Sequence, residues 1–114
     1  MAVGLEEKRR FPRIQLKIPL RYQIRGGHDF DNSISDDISL GGLRFVNRKF
    51  IPPLTDVMLE INVLSRALNP IGRVAWSSPL PHSDWYNLGI EFIEMDAGEK
   101  NYLSDYIDMQ LGKL

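Results

Sequence analysis

Ile14-Gln15-Leu16-Lys17-Ile18-Pro19-Leu20-Arg21-Tyr22-Gln23-Ile24-Arg25 is the stretch on which the fold turns. Six apolar side chains alternate with six polar or charged ones, which gives one apolar face at period two and defines a half-buried strand. Pro19 falls in the polar register, so an edge position or a bulge is expected beside it. Gly26-Gly27 ends the strand.

Downstream the same pattern returns in short pieces. A polar stretch at Asp31-Asn32-Ser33 leads into Ile34, Ile38 and a turn at Leu40-Gly41-Gly42. Leu43 to Val46 restart a strand, and Ile51-Pro52-Pro53 breaks it. Val57, Leu59, Ile61 and Val63 alternate with polar neighbours; Gly72 to Ser77 forms a further strand, and Leu88, Ile90 and Phe92 another. Short strands joined by Gly/Pro turns define a mostly all-β domain, an antiparallel barrel or sandwich. The ending differs: Asp96 and Glu99 form an Asp-x-x-Glu capping pattern, and Tyr102, Leu103, Tyr106, Ile107 and Leu111 recur at helical spacing before Gly112. That stripe either packs on the barrel or offers a surface to a second subunit. The expected layout is an arm over residues 1–13, a barrel over 14–95 and a helix over 96–112.

With 114 residues, 43% apolar and 25% charged, the chain has the composition of a single ordinary globular domain. Cysteine is absent, which excludes disulfides and thiolate metal sites, and His28 and His82 are the only histidines. No apolar run approaches the length of a membrane-spanning helix, so a soluble, cytoplasmic domain is expected. The net charge of −1 conceals an asymmetry. Lys8, Arg9, Arg10, Arg13, Lys17, Arg21 and Arg25 make up half of the 14 cations and have no Asp or Glu among them. A basic segment on an otherwise acidic body points to an anionic partner.

Two elements carry chemistry. In Arg9-Arg10-Phe11-Pro12-Arg13, Pro12 holds Phe11 extended, so Arg9, Phe11 and Arg13 point one way and Arg10 the other. Two guanidiniums flanking an aromatic ring can clamp a flat anion, because the planar fork both stacks and donates paired hydrogen bonds. The bland alternative is a solvated charged tail. The second element is Asp37-Ile38-Ser39-Leu40-Gly41-Gly42. Asp37 only accepts hydrogen bonds and so suits the N1–H and N2–H donors of a guanine, while Ser39 both donates and accepts. The glycines let a ligand approach the backbone. Here the alternative is a hairpin turn that stabilises only itself.

Arg-x-x-x-Arg ahead of a strand, then Asp-x-Ser-x-x-Gly in a small β domain, resembles the PilZ family of bacterial cyclic di-GMP receptors. Gly72-Arg73-Val74-Ala75-Trp76 and Leu88-Gly89-Ile90-Glu91-Phe92 are similar to later strands of that family. The resemblance covers roughly residues 6–110. It implies a six-stranded antiparallel β-barrel with a C-terminal α-helix, and a ligand held between the arm and the barrel face. It assigns cyclic di-GMP contacts to Arg9 and Arg13 (guanine and phosphate), to Arg10 in support, and to Asp37 and Ser39 at a guanine edge. Gly41 and Gly42 leave room, and Trp76 is either a partner of the bound base or a half-buried barrel aromatic. Lys8 stands where some members carry a further arginine; it keeps the charge without the stacking plane, and an intercalated ligand dimer remains expected. The resemblance implies a receptor that signals by arm closure to a downstream protein, as a monomer or weak homodimer, without metal or cofactor and without turnover. A single-stranded nucleic-acid-binding barrel is the alternative, since basic, aromatic-bearing barrels also do this.

Overall fold

The computed structural model describes residues 11–112. Eight strands run β1 (Ile14–Gln15), β2 (Pro19–Ile24), β3 (Asp31–Ile38), β4 (Gly42–Asn47), β5 (Asp56–Val63), β6 (Arg66–Leu68), β7 (Ile71–Pro79) and β8 (Tyr86–Glu94), followed by helix α1 (Ala97–Gln110). All pairings are antiparallel. Six strands close a ring in the order β3-β2-β5-β7-β8-β4, with β4 returning to β3; β1 extends the β2 side of β3, and β6 pairs with β5. This is the six-stranded barrel with a C-terminal helix that the sequence implied. Closure leaves no free edge on the ring.

The alternating patterns fill the interior. Leu20 and Tyr22 of β2, Val57, Leu59, Ile61 and Val63 of β5, and Leu88 and Ile90 of β8 are buried. Ile24, the last apolar residue of the alternating series, is exposed at the end of β2. Tyr22 is buried more deeply than the other core tyrosine, Tyr106; its hydroxyl donates to Asn47 Oδ1 at 3.1 Å, and burial pushes its pKa up to about 12.

The expected continuous strand over 14–25 is interrupted at residues 16–18, where the chain and its partner β3 are both irregular. On β3, Ser35 and Ile38 are both buried although they differ in parity, because an extra residue sits between them. The register shifts by one against β4 (Ser35↔Phe45, then Asp37↔Arg44), with the extra residue on β3, and by one in the opposite sense against the first two strands (Pro19↔Ile34, then Ile14↔Ile38), with the extra residue at 16–18. Both are β-bulges. The Ser35 hydroxyl fills the broken ladder, accepting from the Ile18 amide at 3.1 Å and donating to the Leu16 carbonyl at 2.8 Å. The bulge expected beside Pro19 is thus present, at residues 16–18 of the first strand segment, back to back with the one that β3 carries against β4. The polar stretch Asp31-Asn32-Ser33 is strand and not loop because it pairs with Tyr22, Arg21 and Leu20 of β2.

Helix α1 packs its stripe on the barrel through Leu103, Tyr106 and Ile107, and the Tyr102 hydroxyl donates to the Val63 carbonyl at 3.1 Å. Leu111 falls off the stripe and is exposed. Asp96 caps the helix by accepting from the Gly98 and Glu99 amides at 3.0 and 3.2 Å. Glu99 does not reach back as a capping box requires; its carboxylate accepts from the Asn69 amide at 3.0 Å and ties the helix to the β6–β7 connection. Strand β6 has no sequence signature, since its two-residue turn places Leu64 at φ 56° where glycine or asparagine is usual.

Candidate ligand-binding site

Register sets up one row of side chains across the outer face of four strands. Asp37 on β3 is opposite Arg44 on β4, Arg44 is opposite Gly89 on β8, and Gly89 is opposite Trp76 on β7. Trp76 reaches this face through a second bulge. Strict alternation would put it inside with Gly72 and Val74, but the register shifts between Val74 and Trp76, so Val74 is fully buried while Trp76 stands outside. Its ring lies flat on Gly89, where a Cβ would overlap three ring atoms.

The Ser39–Gly42 turn forms the adjoining wall. Ser39 N donates to the Gly42 carbonyl at 2.8 Å, and its hydroxyl accepts from the Gly41 amide at 3.1 Å. The Gly41 carbonyl accepts from the Phe92 amide at 2.9 Å, pinning the turn to β8. Gly42 packs directly on the Ile90 carbonyl, leaving no space for a side chain. Phe11 lies over Gly41: a Cβ at Gly41 would come within 2.8 Å of Phe11 Cδ2.

These segments enclose a cavity of about 660 Å³, in the range that takes a small-molecule ligand. Of the residues singled out in the sequence, Arg13, Ser39, Gly41, Gly42 and Trp76 line it together. Lys8, Arg9 and Arg10 lie outside the described residues. Asp37 sits just behind the wall. Its Oδ1 is 3.5 Å from Arg13 Nη1, and its Oδ2 accepts from Arg44 Nε at 3.1 Å. Among the other lining residues are Phe11, the aromatic of the arginine clamp, and Gly89 and Glu91, which were given no ligand contact from the sequence.

Arg44 organises the charge behind the cavity. The β3 bulge lets Asp36 and Asp37, consecutive in sequence, both face outward, and Arg44 holds the two, with Nη1 at 3.2 Å from Asp36 Oδ2 and at 2.9 Å from Asn87 Oδ1. Lys17 adds a contact to Asp36 at 3.1 Å. The Arg13–Asp37 pair is looser and half-exposed, the kind of ion pair that contributes little and exchanges readily. Beyond the Gly89 row, Glu91 lies opposite Gly42 and Arg73. Arg73 Nε donates to Asp56 Oδ1 at 2.8 Å; this bond holds the Asp56 carboxyl below its ordinary value and raises the Arg73 guanidinium. Among the described residues no group of three or more His, Asp or Glu is placed to hold a metal, and no helix is long and apolar enough to cross a membrane.

Fold and site together define a small antiparallel barrel with a ligand-sized cavity on its outer face, beside the segment that leads into its first strand. The chain belongs to the PilZ domain family, whose pattern it matches over residues 7–109. Among solved structures it is similar to the Bacillus subtilis inhibitor of motility MotI/DgrA, with 21% identity and a TM-score of 0.78 over 92% of this chain and 52% of that one. It is also similar to Escherichia coli YcgR in complex with c-di-GMP, at 14% identity and TM-score 0.76 over 93% of this chain and 47% of that one. The isolated PilZ domain of YcgR with c-di-GMP matches at 13% identity and TM-score 0.65, covering 94% of this chain and 99% of that domain. The chain therefore spans about half the length of the two larger proteins. No curated protein sequence matches it significantly.

Proposed function

We propose that this chain is a non-enzymatic receptor for cyclic di-GMP, bound between the arm and the outer barrel face. One observation carries the reading: Arg13, the Ser39–Gly42 turn and Trp76, drawn from three distant parts of the sequence, line a single cavity. The ligand has two phosphates and two guanines, and each finds matching chemistry here. Arg13, with Arg9 and Arg10 of the arm, supplies charge-assisted donors for phosphate and guanine. Trp76 offers a stacking plane, Ser39 a hydroxyl, and Gly41 and Gly42 room for close approach. Asp37 keeps its Arg44 contact and exchanges the loose Arg13 contact for the ligand. Membership of the PilZ family, and the presence of c-di-GMP in YcgR, support the ligand class.

Arm closure over the ligand provides the signal, because binding orders a segment and presents a new surface to a downstream protein. Lys8 contributes charge, and the site accepts the ligand as an intercalated dimer. Titration calorimetry with cyclic di-GMP tests this: binding in the micromolar range or tighter is expected, weakening as salt rises and lost in Arg13→Ala and Asp37→Ala. A folded wild-type chain that does not bind refutes the proposal. Linear dinucleotide appearing after incubation would refute the non-enzymatic assignment.

A further inference from the structure

We propose that Glu91 is a guanine-reading, specificity-determining residue of this cavity; the inference rests on the cyclic di-GMP reading above and deepens it. Glu91 is exposed on the outward face of β8, between buried Ile90 and half-buried Phe92, and it lines the cavity. Its cross-strand neighbour on β4 is Gly42, and the outward residue before it on β8 is Gly89, so no side chain from either position covers its carboxylate. Among the described residues it makes no ion pair within 4.0 Å. The nearby Arg73 guanidinium is committed to Asp56 through Nε.

Asp37 stands in contrast. Its side chain is only 13% exposed, both its oxygens face arginines, and it lies behind the cavity wall. The carboxylate that faces the ligand space is therefore Glu91. With its cross-strand cation Arg73 bound to Asp56, this carboxylate repels phosphate, so it faces the part of the ligand that presents donors. Carboxylates only accept, and the Watson–Crick edge of guanine offers two adjacent donors, N1–H and N2–H, which two carboxylate oxygens match. Trp76 stands one row away on the same face, where the ring of such a base would stack. A ligand with two guanines then meets two carboxylates: Glu91 within the cavity and Asp37 at its margin. Adenine, with an acceptor at N1, is rejected, and hypoxanthine loses one of the two bonds.

The test is calorimetric titration of wild-type, Glu91→Gln and Glu91→Ala chains with cyclic di-GMP and with cyclic di-IMP, which lacks only the 2-amino groups. Wild-type is expected to favour cyclic di-GMP about tenfold or more, the discrimination typical of a paired contact to one base. Both variants should bind cyclic di-GMP about tenfold more weakly and keep only the smaller preference that Asp37 confers through the other guanine. Equal weakening toward both ligands would place Glu91 against an arginine instead of a base and overturn the assignment. Unchanged or tighter binding would overturn it too. Wild-type binding with an unaltered preference in the variants refutes the Glu91 assignment alone, whereas a wild-type chain that binds neither dinucleotide refutes the functional reading and this assignment together. Glu91 is exposed, so the variants should fold, as near-ultraviolet circular dichroism will verify.

Discussion

Gly89→Ala sets a methyl group against the indole of Trp76, within 2.8 Å of Cζ2 and closer still to Cε2 and Nε1. The backbone of β8 is held between β4 and β7 and cannot retreat, so the ring must leave its seat. Trp76 is 40% exposed there, which leaves roughly 150 Å² covered if a tryptophan presents about 250 Å². Re-exposing about half of that at ~25 cal/mol per Å² costs about 2 kcal/mol. Alanine is favoured over glycine within a strand by roughly 0.5–1 kcal/mol, which offsets part of the loss. The net destabilisation is about 1–1.5 kcal/mol, or a melting temperature lower by about 5 °C for a domain of this size. The assay is a double-mutant cycle by urea and thermal unfolding, with Gly89→Ala made in the wild-type and in Trp76→Ala. In the Trp76→Ala background the methyl meets no ring, so the substitution should be neutral or slightly stabilising. In the wild-type background it should also reduce cyclic di-GMP affinity to the level of Trp76→Ala, a loss of about 1–3 kcal/mol for one stacked base. Equal destabilisation by Gly89→Ala in both backgrounds would refute the reasoning, because the glycine would then serve the backbone and not the tryptophan.

Ser35→Ala should destabilise the barrel by about 1–3 kcal/mol in urea unfolding, since it strands the Ile18 amide and Leu16 carbonyl in a buried bulge; an unchanged midpoint would mean that the bulge does not depend on the hydroxyl. Asp96→Ala should cost about 1 kcal/mol by the same measurement, whereas Glu99→Ala should act through the Asn69 contact and leave the cap intact, as amide exchange of Gly98 and Glu99 will report. Asp56 has its folded pKa lowered chiefly by the Arg73 hydrogen bond. Its stabilising contribution is therefore present above the ordinary value of 3.8 and is lost as pH falls through the lowered folded value. Urea midpoints taken from pH 6 downward should flatten in Asp56→Asn over that acid range, and a superimposable pH profile would rule the pair out as a contributor.

The strands were legible wherever apolar residues alternate. β2, β5 and β8 follow directly from the spacing of Leu20 and Tyr22, of Val57 to Val63, and of Leu88 and Ile90, because burial of one face at period two has a single structural solution. β3 was illegible for the converse reason. Its residues are polar, and its place is fixed by hydrogen bonds to β2 and β4 that leave no trace in side-chain pattern. β6 was missed because its turn carries Leu64 in a conformation that the residue type does not announce.

The candidate site divides along the same line. Arg13, Ser39, Gly41, Gly42 and Trp76 could be picked out from residue type and motif, and with them a flat anionic ligand, because charge, hydrogen-bonding capacity and absence of a side chain are properties of single residues. Which of them face one another was decided by two bulges. The first, in β3, turns Asp36 and Asp37 both outward onto Arg44 and draws Asp37 behind the cavity wall. The second, in β7, turns Trp76 out of the core onto Gly89. A bulge changes the face of everything beyond it by adding one residue to one strand, and that shift exists only relative to the paired strand. Sequence alone therefore determined the β domain and its helix, with the barrel implied by family resemblance, and pointed to an anionic ligand, while only the tertiary structure decided which carboxylate lines the cavity.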